Sequence, residues 1–150
     1  MKKRTSILIA AVLAIVMTAS YFQTNWAFLS AAVAVDAGAT KTNGAEFTSQ
    51  GADKDLNWVQ LALLTVTFTR AAGSASKVYF EFQISYDGGT TYTTAYYWRV
   101  EVATNETAVS DVVRYSELIP LYGVSHIRLY RIVNDDSGNN LTDCNAYISY

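Results

Sequence analysis

The chain has 150 residues, the size of one domain, and 51% of them are hydrophobic against 16% charged. That balance excludes a disordered chain and a multi-span membrane protein. One Cys and one His exclude an intrachain disulfide, a two-His metal site within one chain and any site needing several thiolates. The net charge of −2 is unevenly placed: residues 1–35 carry Lys2, Lys3 and Arg4 and no acid, while residues 36–150 set 8 basic residues against 13 acidic ones. A mildly acidic body with no basic run has nothing to neutralise a row of phosphates, so nucleic acid is not an expected partner.

Lys2-Lys3-Arg4 opens an otherwise uncharged stretch that lasts to Asp36. It is aliphatic from Ile7 to Met17, polar at Thr18, Ser20 and Gln23 to Asn25, and apolar again from Trp26 to Val35. A basic start and a short apolar run predict an export signal, with small residues suited to cleavage at Thr18-Ala19-Ser20 and at Ala32-Val33-Ala34. The competing reading is a retained helix over Ser6 to Trp26 with its basic end in the cytoplasm. A third is a pilin-like stem. Type IV pilins carry a Glu shortly after their cleavage point, and this stretch has none. Residues 1–34 are therefore assigned as signal peptide or N-terminal hydrophobic helix, with membrane contact expected through residues 6–35.

Residues 35–55 are rich in Gly, Ala, Thr, Asn and Ser and read as a flexible arm, with one short strand near Glu46-Phe47. From Leu56 the texture turns to period two. Leu64, Val66 and Phe68 alternate with threonines, and Val78, Phe80, Phe82 and Ile84 alternate with Tyr79, Glu81, Gln83 and Ser85. Asp87-Gly88-Gly89 marks a hairpin turn. A strand follows with Tyr92, Tyr96, Trp98, Val100 and Val102 on one face. Others are expected at Val109 to Tyr115, at Val124 to Val133 with Ile127, Leu129 and Val133 facing inward, and at Cys144 to Tyr150. About seven short strands and no amphipathic helix after residue 35 predict an all-β fold. It would be an antiparallel β-sandwich, jelly-roll or Ig-like, over 56–150, preceded by the N-terminal hydrophobic helix.

Ser85-Tyr86-Asp87-Gly88-Gly89-Thr90-Thr91-Tyr92 resembles the Asp-box, S-x-D-x-G-x-T-W, which recurs on the propeller blades of sialidases. The resemblance covers eight residues and implies a turn, in which Asp87 accepts amide bonds and the glycines take positive φ. The strand–S-x-D-G-G–strand texture is also similar to small β-sandwich modules of phage virions and extracellular fibres, which implies an assembly role.

Other constellations have plain readings. Asn134 to Asn140 is dense in oxygen donors, with Asp135, Asp136 and Asn139 the ligands a calcium loop would use, but a hairpin loop explains it as well. His126 and Cys144 fall within predicted strands, where a thiol is a small apolar residue. Glu81 and Glu101 face outward on neighbouring strands, as solvated charge does. Asn105-Glu106-Thr107 and Asn140-Leu141-Thr142 match glycosylation sequons. No catalytic residue, metal site or cofactor is expected. Tyr79, Tyr97, Tyr130 and Tyr147 lie opposite the aliphatic faces of their strands and are the candidate assembly or ligand contacts. The reading is a non-enzymatic, exported structural subunit of an extracellular, cell-surface or virion assembly that forms homo-oligomers or polymers. The alternative is a secreted or tethered carbohydrate-binding module.

Overall fold

The computed structural model describes residues 25–49, 56–70, 76–104 and 111–150. These form nine strands: β1 (Asn25–Ala27), β2 (Val33–Val35), β3 (Thr40–Thr42), β4 (Leu61–Arg70), β5 (Ser76–Ser85), β6 (Trp98–Thr104), β7 (Asp111–Pro120), β8 (His126–Asn134) and β9 (Leu141–Ser149). Runs of Val, Ile, Phe and Thr suit a pleated, half-buried surface, and alternation fixes which face each strand buries. In β4 the residues turned inward are Ala62, Leu64, Val66 and Phe68; in β5 they are Val78, Phe80, Phe82 and Ile84.

The strands form two antiparallel sheets. One runs β1-β9-β4-β7, with β2 also on β9, and the other runs β3-β8-β5-β6. The pairings nest: β2 with β9, β3 with β8, β4 with β7 and β5 with β6. One long hairpin rolled over itself in this way is the winding of a jelly roll. Between the sheets lies the core, where Phe28 meets Phe82 at 5.2 Å and Phe68 meets Phe80 at 6.1 Å.

Three expectations change. First, the sandwich does not begin at residue 56. Phe28 is fully buried, β1 and β2 pair with β9, and β3 pairs with β8, so much of the expected leader and arm belongs to the two sheets. The expected leader up to residue 24 lies outside the described residues. Second, the strand expected from Tyr92 begins only at Trp98. Residues 86–97 are a loop, entered through Gly88 and Gly89 at φ 74° and 83°. Third, the β5–β8 register shifts between Glu81 and Phe82, leaving Tyr130 as an extra residue on β8. The bulge resets the alternation, so Ile132 rather than Val133 joins Ile127 and Leu129 in the core.

Candidate functional site

The two sheets present opposite kinds of outer face. On the β3-β8-β5-β6 sheet, Glu81 is fully buried and sits between two guanidinium groups. Arg99 Nε donates to its Oε1 at 2.8 Å, and Arg131 Nε donates to its Oε2. The bulge at Tyr130 is what aims Arg131 at this carboxylate, since Glu81 pairs with Arg131 while Phe82 pairs with Leu129. The pairing raises the pKa of Arg131, chiefly through its hydrogen bond to Glu81. Arg99 also lies 4.8 Å from the ring of Tyr79 and 4.4 Å from that of Tyr96. Arg128 stacks on Tyr92 at 3.9 Å and donates from Nε and Nη2 to Gln83 Oε1. Outward alternation predicts a solvated Glu81; its two arginines are what permit its burial instead.

The outer face of the β1-β9-β4-β7 sheet is different. Leu63, Thr65 and Thr67 run down its middle, with Leu118, Ser116 and Arg114 on one side and Ser149, Tyr147 and Asn145 on the other. The residues lining a depression of about 540 Å³ here include a single charge, Arg114. Its polar groups are mostly hydroxyls, such as the 2.9 Å pair between Thr65 and Ser116. Beside it, β7 ends the sheet and exposes Val112, Tyr115 and Leu118.

The Ser85–Tyr92 turn holds itself together. Asp87 Oδ1 accepts from the Ser85 hydroxyl at 2.6 Å and from the Thr91 amide at 2.9 Å. These bonds, that from Ser85 first, hold the carboxyl down at about 2. The Gly88 amide donates to Ser125 Oγ and the Gly89 amide to Ser85 Oγ, both at 3.0 Å. A Cβ on Gly89 would only touch the His126 ring and the Tyr92 hydroxyl, at 3.4 Å; it is the positive φ of 83° that favours glycine there. The Asp87 carboxylate and the Ser85 hydroxyl are thus spent on the turn itself, while Tyr86 points to solvent.

The four candidate tyrosines do not form one patch. Tyr79 and Tyr130 lie on the arginine-bearing face, each beside a guanidinium. Tyr97 tilts over Trp98 in the β5–β6 loop and its hydroxyl reaches toward Pro120 O. Tyr147 lines the depression on the other sheet. Asp136 accepts from the amides of Gly138 and Asn139 and from Asn139 Nδ2, so it closes its own turn. Among the described residues no cluster of His, Cys, Asp and Glu could hold a metal. Cys144 points from β9 into the core, where burial pushes its thiol up to about 12, while His126 stands on the other sheet beneath Gly89. The two are not brought together. The Glu81 cluster was missed because outward alternation suggested solvent, and exposed Trp58 because it lies outside any periodic run.

No protein-family model and no curated protein matches the chain. Among solved structures it is similar to infectious bursal disease virus, Gt strain, at 13% identity and a TM-score of 0.45, covering 83% of this chain and 31% of that one. It is similar to the PRD1 vertex protein at 11% identity and 0.32, covering 83% and 90%. It is also similar to the Bacillus endospore appendage pili at 15% and 0.30, covering 84% and 80%. The chain thus spans about a third of the length of the bursal disease virus protein.

Proposed function

We propose that this protein is a non-enzymatic structural subunit of an extracellular or virion surface assembly, built by contacts between copies of itself. One observation carries the reading: a nearly uncharged outer face next to a ten-residue strand, β7, that among the described residues pairs on one side only. An open edge offers a row of unpaired backbone groups, and an exposed apolar face beside it favours burial. Arg114 and Glu117 on β7 act as guards against indiscriminate pairing. Within the segment read as a flexible arm, β3 completes the chain's own second sheet, so the assembly contact is assigned to the β7 side rather than to that arm.

On this reading the protein works outside the cell, at its surface or in a virion. A cut at Ala32-Val33-Ala34 would strip β1, Phe28 and Leu29 from the core, so the fold favours Thr18-Ala19-Ser20 if the leader is removed. The test is light scattering of the full-length chain across a concentration series, followed by electron microscopy. Growth into large species that Leu118→Arg suppresses supports the proposal. A species of constant mass, or growth indifferent to Leu118→Arg, overturns it.

A further inference from the structure

The sandwich has two unlike ends. At one end the loops 56–60, 86–97 and 121–125 are tied together. The Leu56 amide donates to Ser125 O, Leu121 to Gln60 O and Ser125 to Ser85 O. Among the described residues, this end carries most of the large apolar side chains left in water: Trp58 is 93% exposed, Tyr122 70%, Tyr86 62% and Leu61 53%. Trp58, Leu61 and Tyr150 share one shallow cleft. Among the described residues of these three loops only Asp87 is charged, and its carboxylate is engaged by Ser85 and Thr91. The opposite end carries Asp36, Asp135 and Asp136 in its loops, with Lys77 paired to Glu101 nearby.

Chain direction adds the second observation. β1 is antiparallel to β9, and Asn25 pairs with Ser149 while Ala27 pairs with Tyr147. The chain therefore enters β1 at the aromatic end, beside Tyr150. Before it come 24 residues, aliphatic from Ile7 to Met17 and basic only at Lys2, Lys3 and Arg4.

We infer that the aromatic end is a lipid-facing surface, seated on a bilayer at the point where the chain enters β1 after an apolar stretch of sequence. Trp and Tyr partition to the membrane interface, where an apolar ring and a polar edge are both satisfied. The basic start would remain on the cytoplasmic or interior side, leaving the sandwich on the other. Loops whose one charge, the Asp87 carboxylate, is already engaged by Ser85 and Thr91 cost less to bring to headgroups than the opposite end, whose several Asp side chains would be repelled by anionic lipid. The chain's entry point sets which end meets the bilayer. This inference rests on the loops at one end, which adjoin the sheet face of the assembly reading at Leu61 and Tyr150, and its probe, Trp58, lies outside that face.

The test is fluorescence of the full-length chain reconstituted into phosphatidylcholine vesicles whose acyl chains carry bromine. Trp26 and Trp98 are half-buried in the sandwich, so Trp58 is the indole open to quenching. Expected is a loss of most of the Trp58 emission, identified by its disappearance in Trp58→Phe, which removes no core contact. Trp58 emission untouched by bromine and quenched by aqueous iodide overturns the inference. So does protection of Trp58 that appears without lipid and grows with protein concentration, since that marks a contact between copies. A mature chain beginning after residue 19 overturns it too, because the anchor is then gone. Failure here leaves the Leu118→Arg scattering result intact, so the two readings fall separately.

Discussion

The outer faces of the two sheets solve the same problem in opposite ways. The β3-β8-β5-β6 face carries its polar groups in closed sets: Glu81 between Arg99 and Arg131, Arg128 between Gln83 and Tyr92. It offers a partner little that is unsatisfied. The β1-β9-β4-β7 face has Leu63, Leu118, Tyr147 and a column of hydroxyls, with Arg114 as its one charge around the depression. It loses little on desolvation and gains by being covered. The tyrosines illustrate the difference: against arginines they complete a face, and beside leucines, as at Tyr147, they leave one open.

Several experiments would break or sharpen this contrast. The largest effect should come from what both sheets share. Phe28→Ala removes a fully buried ring packed on Phe82, and urea denaturation should show a loss of about 3–5 kcal/mol. A cost below about 1 kcal/mol would mean that the segment before β2 is not part of the folded core.

On the closed face, Glu81→Ala leaves Arg99 and Arg131 without their shared carboxylate. Both arginines are about one-third exposed and can turn to water, so the expected cost is about 1–3 kcal/mol, below that of a fully buried pair. A double-mutant cycle with Arg99→Ala should show strong coupling; additive losses would refute a shared network.

On the open face, Leu118→Arg should change stability by less than about 0.5 kcal/mol, since the side chain is exposed, while abolishing growth in light scattering. Loss of stability and growth together would mean the face is structural only.

The smallest effect is in acid. Asp87 has its carboxyl held at about 2, so its contribution is complete above about pH 4 and fades as the pH falls through 2. Amide exchange at Thr91, followed by magnetic resonance, should quicken over that window. Asp87→Asn should remove the pH dependence.

Much of the sandwich was legible as alternation. Val78 to Ile84 shows its buried face in the sequence alone, and Gly88-Gly89 announces the turn that follows. What escaped did so for physical reasons. Phe28 sits in an apolar stretch that reads like a leader, and its place in the core depends on β9, more than a hundred residues away. β3 is three residues of Thr-Lys-Thr, too short for periodicity. The bulge at Tyr130 leaves no mark in the alternation, yet it swaps Val133 for Ile132 in the core and delivers Arg131 to Glu81. The aromatic end was invisible because Trp58, Tyr86 and Tyr122 come from three separate loops that only tertiary contacts unite.

The nested winding also governs when the protein can fold. β9, the last strand made, lies between β4 on one side and β1 and β2 on the other. Until β9 has been made, β1 and β2 have no partner and one sheet lacks its middle. A fold whose closure waits on β9 is slow to acquire structure, because β9 pairs with strands far from it in the chain. Removing Leu141 to Tyr150 should leave a chain that never closes, however complete its other eight strands.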